Sequence, residues 1–448
     1  MLFEKIKNHA PEKIALKDTV RSITYGDLNL EVDARIDALY DVDVLAIALD
    51  NSVEWILWDL AAMKAGIPCV PLPPFFSEEQ VYHSLHSSGV SHILSPEGLR
   101  ETGTGVVGLL TEGTAKVTYT SGTTGTPKGV CLSKNAMLNV AKNIVDVLGE
   151  EFVGKHVCTL PLGVLLENVA GVYAGLMAGC TLHLPSLKSY GEHYAALYDV
   201  LKDRAANSVI LVPEMLRTLM AQVVNKGPLP TLKYIAVGGS KIDPSLIMQA
   251  RAMGLPVYEG YGLSECASVV ALNTPYDDRA GSAGKPLPHI KTRIIDGEIY
   301  IKNNGFLGYV GETAPDTIHT GDLGDIDGDG FLSVTGRSKN VLITSYGRNI
   351  SPEWVEAKLL AHADIAQAIV YGDGASELSA LIVPAFAGAN VKDAAISANS
   401  TLPDYARIKD FTFVPPFTLE SGMLTGTGRP RRETILKHYK KEKAYGLL

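Results

Sequence analysis

The sequence predicts an α/β protein with a large N-terminal domain, built from two layered α/β subdomains and a small β-barrel, followed by a small α+β C-terminal domain. Three observations support this architecture. Predicted strands and helices alternate through roughly the first 270 residues, which indicates mostly parallel, layered sheets. From about Asn273, short strands and Gly-rich turns follow, and these are typical of a small antiparallel sheet or barrel. Beyond Arg337 the chain predicts a compact mixture of helix and strand.

The first 110 residues or so predict alternating strands and helices. "VLAIALD" predicts a buried strand, and "SVEWILWDLAAMKAG" predicts a helix with Ser52 as its N-cap and Gly66 at its end. A second strand closed by prolines follows, then a helix that begins at Ser77, and then a third strand in "SHILSP". This alternation predicts a parallel sheet covered by helices.

The second subdomain repeats the alternation. "KHVCTLPL" predicts a strand and Glu167 to Gly179 a helix, while "NSVILVP" and "LKYIAVGGS" each predict a strand followed by a helix. In the C-terminal part, "SPEWVEAKLLAH" predicts a capped helix and "IAQAIVYGDGASELSALIVPA" a strand–turn–strand. The C-terminal domain is therefore expected to be α+β.

Composition excludes several classes of function. The 448-residue chain has a formal net charge of −9, so a nucleic-acid partner has no overall electrostatic support. None of the five cysteines forms a CxxC pair, so neither a zinc site nor a disulfide framework is indicated, and reduced thiols favour a cytoplasmic location. The N-terminus lacks the apolar segment of a signal peptide, and the longest apolar stretch, Val169–Leu184, is short for a membrane span. A peripheral membrane contact stays open.

The stretch "VTYTSGTTGTPKGVCLS" (117–133) combines hydroxyl side chains and glycines with one lysine, Lys128. Val117 and Tyr119 alternate with threonines as in a strand, and a second strand after Lys128 leads to a helix with Ser133 as its N-cap. Glycines let the backbone present N–H groups to an anion, and the hydroxyls and the lysine add donors and charge. These features predict a phosphate-binding loop, and a flexible Gly/Ser linker is the alternative.

Three familiar motifs do not match. The loop is not the common P-loop, because two residues separate Gly125 from Lys128. "DIDGDG" (325–330) has Gly336 where a calcium loop needs an acidic residue, so it predicts a hairpin turn. "GLSEC" (262–266) lacks the last glycine of a serine-hydrolase elbow.

Polar side chains also follow predicted strands at two other places. "YEGYGLSE" offers Tyr261 for stacking and Glu265 for a magnesium ion, both of which suit a bound triphosphate. "HTGDLG" offers Asp322 as an acceptor for ribose hydroxyls, and "TGRSKN" offers Arg337 and Lys339 as cations. Taken alone, these stretches are also explained as a generic strand-end loop and an exposed hairpin.

In chain order these stretches resemble the AMP-forming adenylating superfamily: acyl-CoA synthetases, firefly luciferase and the adenylation domains of peptide synthetases. The resemblance covers nearly the whole chain and rests on "YTSGTTGTPKGV", "YEGYGLSE", "GSAGKPLP", "GEIYIK", "HTGDLG", "GRSKN" and "YGRNISPEWVE". "LPLGVLLENVAG" and "LESGMLTGTGRPRR" are most similar to the long-chain fatty acyl-CoA synthetase branch. The resemblance implies an enzyme that uses ATP and Mg²⁺ to convert a carboxylic acid, here a medium- or long-chain fatty acid, into an acyl-adenylate, and then transfers the acyl group to CoA.

The resemblance also assigns the nucleotide-binding residues. The residues that would grip the β- and γ-phosphates are Thr120, Ser121, Gly122, Thr123, Thr124, Gly125, Thr126 and Lys128. Those that would surround the adenine are Gly238, Gly239, Ser240, Glu259, Gly260, Tyr261 and Gly262, with Tyr261 stacked on the ring. The remaining site residues are Ser264, which stands where the family usually has Thr, Glu265 for magnesium, Asp322 for the ribose, and Arg337 for the ribose or α-phosphate.

The resemblance further implies a domain movement. Residues 1–336 would form the AMP-binding domain, and residues 337–448 a mobile C-terminal domain that rotates about Lys339 between the two half-reactions. That rotation would bring the loop containing Gly347 to the thiol channel.

Two residues depart from the family pattern. Val164 stands where relatives often have a histidine that lines the acyl site, and Arg429 stands where the family has a catalytic lysine. Arginine keeps the positive charge but replaces a compact ammonium by a planar fork. Three alternatives therefore remain: an enzyme that loads a carrier-protein phosphopantetheine, a catalytically impaired nucleotide-binding relative, and a solvated basic cluster formed by Arg429, Arg431 and Arg432.

Overall fold

The computed structural model describes residues 1–104, 109–120, 127–149, 154–425 and 428–444. Its contacts divide the chain into two compact units. The first contains residues 1–239, 250–293 and 300–318, and the second contains residues 240–249, 294–299 and 319 onward. Residues 319–336, which precede Arg337, thus belong to the second unit. The predicted domain boundary between residues 336 and 337 stays a prediction.

One large sheet of the first unit has seven strands. In spatial order they are Phe306–Tyr309, Lys128–Ser133, Thr114–Thr120, Cys69–Pro71, Leu45–Ile47, His92–Ser95 and Gly98–Glu101. The central strands are parallel, and the two strands nearest each edge pair in antiparallel fashion. Buried aliphatic side chains such as Val70 and Val117 form the core on this sheet.

The other large sheet of the first unit has nine strands. In spatial order they are Lys285–Pro286, Ser268–Leu272, Val257–Leu263, Tyr234–Val237, Ser208–Leu211, Lys155–Val157, Thr181–His183, Ile14–Lys17 and Ser22–Thr24. Six neighbouring strands, from Val257–Leu263 to Ile14–Lys17, are parallel. The two layered α/β subdomains predicted from the sequence are therefore confirmed.

Three predicted helix starts in the first unit are confirmed by their caps. Ser52, Ser77 and Ser133 each accept a hydrogen bond from a backbone N–H in the first helical turn. Gly66 ends its helix with a φ of 77°, a conformation that glycine adopts without strain. The main helices described in this unit are Leu2–Lys7, Tyr25–Ile36, Val53–Ala65, Glu78–Ser87, Lys134–Leu148, Ala174–Ala178, Leu197–Asp203 and Pro213–Lys226, together with the π-helix Leu166–Tyr173. The helix Pro244–Ala252 is divided between the units, and only residues 250–252 belong to the first.

The predicted barrel is not found as a closed barrel among the described strands. Four short strands instead form a sheet in the order Thr292–Ile295, Glu298–Lys302, Thr317–Ile326 and Leu332–Arg337, and its first and last strands are edges. The predicted hairpin turn at 325–330 is confirmed, because Gly330 N donates to Asp327 O at 3.0 Å. The pattern of short strands with frequent glycines thus correctly predicted an antiparallel sheet. It did not specify whether that sheet closes into a barrel.

The second unit has an α+β core. The strands Ile365–Tyr371, Leu378–Pro384 and Ile408–Phe413 form one sheet, and Leu342–Ile343 pairs with Asn349–Ile350. Its helices are Pro352–Leu360, Val391–Ser400 and Arg432–Ala444. The predicted cap of the first helix is wrong, because the Ser351 hydroxyl donates to Glu353 Oε2 instead of accepting a helix N–H. Among the described helices of the whole chain, none is long and apolar enough to cross a bilayer.

Candidate active site

The two described ends of the predicted phosphate loop lie side by side. Strands Thr114–Thr120 and Lys128–Ser133 pair in antiparallel fashion, and their last paired residues are Thr120 and Lys128. Thr120 is the last residue of a strand that runs parallel to Cys69–Pro71, and ligands bind at such carboxyl ends in α/β sheets. The predicted strand–loop–strand arrangement is therefore present. Residues Ser121, Gly122, Thr123, Thr124, Gly125 and Thr126 lie outside the described residues, and their roles stay predictions.

Lys128 and Glu265, the predicted phosphate and magnesium residues, contact the same tyrosine. The Lys128 Nζ atom lies 4.8 Å from the centre of the Tyr309 ring, and the Tyr309 hydroxyl donates to Glu265 Oε1 at 2.8 Å. Lys128 also lies 3.9 Å from Glu312 Oε1, and both of these side chains are more than half exposed. The sequence analysis missed Tyr309, one of 19 tyrosines, because only the pairing of its strand with Lys128–Ser133 reveals its position.

The surroundings of Glu265 suit a hard divalent cation. Burial, and then the Glu265 carboxylate, raise the pKa of Tyr309 well above its usual value, so its hydroxyl is a protonated donor at neutral pH. Among the described residues, Glu265 Oε2 has no hydrogen bond. Mg²⁺ usually takes one or two protein carboxylates together with phosphate oxygens and water. Glu265, with one oxygen oriented by Tyr309 and the other available, fits such an ion.

Glu265 lies in a strained turn. Ser264–Cys266 form a single 3₁₀ turn directly after the strand Val257–Leu263, and Ser264 is half-buried. The next two residues, Ala267 and Ser268, have φ angles of 57° and 117°. Non-glycine residues in this region cost on the order of 1–3 kcal/mol each and are often found at functional sites. The turn fixes where the Glu265 carboxylate leaves the sheet.

The predicted adenine residues of the first unit meet where two strands diverge. The strand Val257–Leu263 runs parallel to Tyr234–Val237 as far as Glu259, and then pairs with Ser268–Leu272. Gly238 follows the neighbouring strand, and a Cβ there would lie 3.2 Å from the Gly260 carbonyl oxygen. Gly238 and Gly260 thus form a narrow surface made of backbone, and their contact with adenine stays a prediction.

The other predicted adenine residues differ in exposure. Tyr261 is half-buried, whereas Gly239 and Ser240 are exposed. At Gly262 a Cβ would lie 1.8 Å from the Ser268 carbonyl oxygen, so glycine is required for strand packing. Glu259 is buried and its carbonyl accepts two hydrogen bonds from Asn273, which gives it a structural role in the sheet.

In the second unit, Asp322 and Arg337 form a cross-strand ion pair. They are register partners on adjacent antiparallel strands, and Arg337 Nε lies 2.8 Å from Asp322 Oδ1. The Asp322 side chain is only 6% exposed, whereas Arg337 is 43% exposed. Lys339, two residues further, is exposed in a short 3₁₀ turn, and Gly347 is exposed with a φ of 74°.

Arg429 lies in a turn whose backbone is fixed by Thr425. Thr425 N donates to Arg429 O at 2.7 Å, and Arg429 N donates to Thr425 Oγ1 at 3.0 Å. The pKa of Arg429 is lowered by desolvation first and by the Arg337 charge second, while the Asp322 charge opposes the shift. Arg429 therefore lies within the electrostatic field of the Asp322–Arg337 pair.

The alternative of one solvated basic cluster is wrong for Arg432. The Arg432 guanidinium lies 2.6 Å from Glu356 Oε1 and donates to Val370 O, also at 2.6 Å. Burial raises the pKa of Glu356 to about 7, and Arg432 partly opposes that shift. Arg432 is thus a structural residue of the second unit, which leaves Arg429 as the predicted site residue and Arg431 as the other member of the alternative cluster.

The chain segment that contains Val164 lies directly before a π-helix, and Glu167 of that helix bonds the backbone where the segment begins. Glu167, in the π-helix Leu166–Tyr173, accepts a hydrogen bond from His156 Nε2 at 2.9 Å and from the N–H groups of Thr159 and Leu160 at 3.0 and 2.9 Å. These two amides follow the strand Lys155–Val157 at its carboxyl end. Segments of π-helix are rare and are frequent at functional sites. The buried carboxylate therefore fixes the backbone next to the predicted acyl-binding segment.

The same π-helix is tied to the strand that leads into the phosphate loop. Lys116 Nζ lies 2.8 Å from Asp59 Oδ1, and each side chain is 1% exposed. The Tyr173 hydroxyl donates to Asp59 Oδ2 at 2.6 Å, and Asn168 Nδ2 donates to the same oxygen at 3.1 Å. Lys116 lies on Thr114–Thr120, so this buried network stabilises the position of the strand that ends at the loop. Sequence reasoning missed both networks.

The chain matches two family models and a curated relative over most of its length. A family model described as "AMP-binding enzyme" matches residues 3–112 and 108–310, and a model described as "AMP-binding enzyme C-terminal domain" matches residues 339–445. A curated relative, the long-chain-fatty-acid–CoA ligase FadD15 of Mycobacterium bovis, is 26% identical, and the match covers 94% of this chain and 89% of that protein.

Two solved structures share the fold. The anthranilate CoA ligase AuaEII in complex with anthranoyl-AMP has a TM-score of 0.85 and 18% identity, with 99% of this chain and 97% of that chain covered. The O-succinylbenzoate CoA synthetase of Bacillus subtilis in complex with ATP and magnesium ion has a TM-score of 0.79 and 24% identity, with 96% and 98% covered. The predicted fold class is confirmed, and the family matches over most of its length show that the chain belongs to the AMP-binding enzyme family.

Proposed function

We propose that this protein is an AMP-forming ligase that joins a carboxylic acid to the thiol of CoA, with ATP and Mg²⁺. The observation that carries the proposal is the meeting of Lys128 and Glu265 at Tyr309, beside the carboxyl end of Thr114–Thr120. A cation for phosphate oxygens and a carboxylate for a divalent ion are the groups that a bound triphosphate needs. Relatives that are named CoA ligases support the same class of reaction.

The first half-reaction is an attack of the acid's carboxylate on the α-phosphorus of ATP, which releases pyrophosphate and leaves an acyl-adenylate. Lys128 would bind the phosphates that leave, and Gly238, Gly260 and Tyr261 would hold the adenine. Mg²⁺, held by Glu265, would neutralise charge on the phosphate oxygens. Preorganised charges of this kind usually contribute the largest part of catalysis in phosphoryl and acyl transfer.

The family resemblance also suggests roles for residues of the second unit. Asp322 would accept hydrogen bonds from the ribose hydroxyls, and Arg337 would donate to ribose or α-phosphate oxygens. Arg429 would screen the two anions that approach each other during adenylation. For the thioester step we propose that residues 337–448 rotate about Lys339, as the family resemblance implies.

We propose a medium- or long-chain fatty acid as the acid and the cytoplasm as the location. The fatty-acid assignment is supported by the stretch "LPLGVLLENVAG" and by the fatty-acid ligase among the relatives. An aromatic acid is the second candidate, because both solved structures named above are ligases of aromatic acids. The cytoplasmic assignment is supported by five cysteines that are all buried free thiols.

A panel of acids tests the proposal. Purified protein is incubated with ATP, Mg²⁺ and one acid at a time, with fatty acids from C6 to C18 and with benzoate, anthranilate and succinylbenzoate, and pyrophosphate release is measured. Fatty acids should give the highest kcat/KM. Higher values for an aromatic acid would replace the fatty-acid assignment, and release without thioester formation from CoA would favour a carrier-protein acceptor. ATP binding without pyrophosphate release for every acid would support the impaired relative.

A further inference from the structure

Tyr309 links two groups that are proposed to contact different parts of one nucleotide. Its ring contacts the Lys128 ammonium at 4.8 Å, and its hydroxyl donates to Glu265 Oε1 at 2.8 Å. A cation over an aromatic ring and a hydrogen bond to a carboxylate are both directional contacts. One side chain therefore restrains both the proposed phosphate cation and the proposed metal ligand.

The backbone around Tyr309 is fixed by the strand that begins with Lys128. The strand Phe306–Tyr309 pairs in antiparallel fashion with Lys128–Ser133, and Val310 N donates to Gly129 O at 2.9 Å. A Cβ at Gly129 would lie 2.7 Å from Val310 Cγ2, so the close approach of the two chains depends on glycine. The position of Tyr309 relative to Lys128, the last residue of the predicted phosphate loop, is consequently fixed by strand pairing.

We propose that Tyr309 is a positioning residue that orients the Glu265 carboxylate for the metal ion and the Lys128 ammonium for the phosphates of the same nucleotide. The proposal rests on the function proposed above. The Tyr309 hydroxyl donates to Glu265 Oε1, and Glu265 Oε2 has no hydrogen bond among the described residues. That second oxygen is the one proposed to bind the metal ion. Mutation of a residue that hydrogen-bonds to a metal ligand typically lowers metal affinity or activity about 10- to 100-fold.

A purely structural role is the competing explanation. Tyr309 is half-buried and its ring packs edge-on against Phe306, with ring centres 5.2 Å apart, so the side chain also fills space. Tyr309→Phe separates the two explanations, because it keeps the ring under Lys128 and removes only the hydroxyl. A space-filling role would be unaffected by that change, whereas orientation of Glu265 would be lost.

The experiment is isothermal titration calorimetry of ATP binding, once with excess Mg²⁺ and once with EDTA. In the wild type, Mg²⁺ should increase ATP affinity. In Tyr309→Phe this increase should fall by about 10- to 100-fold, while affinity in EDTA stays near wild type. Tyr309→Leu also removes the aromatic ring. ATP affinity in EDTA should then fall as well, because the Lys128 ammonium loses its cation–π contact.

Two further variants complete the test. Tyr119→Phe is the matched control, since the Tyr119 hydroxyl bonds Ser87 and Ser88 and has no contact with Glu265 among the described residues; it should keep the full effect of Mg²⁺. In Glu265→Gln the effect of Mg²⁺ should be lost, and adding Tyr309→Phe should then cost nothing more.

The failure of this inference is distinguishable from failure of the proposed function. If the wild type does not bind Mg·ATP, the proposed function is wrong. If the wild type binds Mg·ATP and Tyr309→Phe keeps the full increase in affinity caused by Mg²⁺, the positioning role is overturned while the proposed function stands. The same conclusion follows if Tyr309→Phe lowers ATP affinity as much in the Glu265→Gln background as in the wild type.

Discussion

Replacement of Lys128 by alanine should weaken ATP binding far more than it weakens the fold. The Lys128 side chain is 56% exposed, and its ion pair with Glu312 is long, at 3.9 Å. Exposed ion pairs contribute about 0–1 kcal/mol, and an exposed cation–π contact such as that with Tyr309 contributes about 0.5–1 kcal/mol. A charged hydrogen bond to a phosphate is worth roughly 1.5–3 kcal/mol. Lys128→Ala should therefore raise the Kd for ATP about 10- to 150-fold.

The assay is calorimetric titration of ATP and of pyrophosphate, with thermal unfolding measured on the same samples. Lys142→Ala is the matched control, because Lys142 is also about half exposed, lies on the helix that follows the same strand, and pairs with Asp146. The control should leave both affinities at wild-type values. Equal affinities of Lys128→Ala and Lys142→Ala for ATP would refute the assignment of Lys128 to the phosphates.

Three other predictions concern other parts of the chain. Arg429→Ala should slow pyrophosphate release by about 10²–10³-fold, the usual cost of one preorganised donor to a transition state, whereas Arg431→Ala should stay near wild type; equal mild losses would make Arg429 an ordinary surface charge. Lys116→Met should lower the free energy of unfolding by about 3–5 kcal/mol in denaturant titrations, because it leaves the Asp59 carboxylate buried without its cation, and adding Asp59→Asn should restore most of that loss. Burial, and then nearby cations, lower the pKa of His183 from 6.5 to about 4; because the unfolded chain then binds more protons, stability should fall as pH drops from 6.5 towards 4, and His183→Gln should flatten that dependence in thermal unfolding.

Local features of the fold could be predicted from sequence because their chemistry is local. Ser52, Ser77 and Ser133 cap helices through hydrogen bonds that span three residues, so a serine before an apolar-periodic run was sufficient evidence. The order of the motifs predicted the family, and the family match confirms it. The strand-end loop "YEGYGLSE" indicated Gly260 and the family resemblance supplied Gly238, and the structure places these two residues close together.

Features that depend on distant pairing could not be predicted. Tyr309 reaches Glu265 across 44 residues, and Lys116 reaches Tyr173 across 57, so no local pattern identifies either contact. The π-helix around Glu167 was expected only as a helix, because an apolar helical pattern does not specify the hydrogen-bond spacing of the helix. Closure of the small sheet depends on how its edge strands meet, which short strand patterns do not specify.

The central claim, that the acid's carboxylate attacks the α-phosphorus of ATP before CoA reacts, is tested most directly by isotope transfer. The acid that is most active in the panel is prepared with ¹⁸O in both carboxylate oxygens and incubated with the protein, ATP, Mg²⁺ and CoA. In an acyl-adenylate pathway the oxygen that bonds to phosphorus stays with the nucleotide when the thiol displaces it. Mass spectrometry should therefore find one ¹⁸O atom in the AMP and one in the thioester. Unlabelled AMP, or ADP with ¹⁸O in inorganic phosphate, would contradict the proposed reaction.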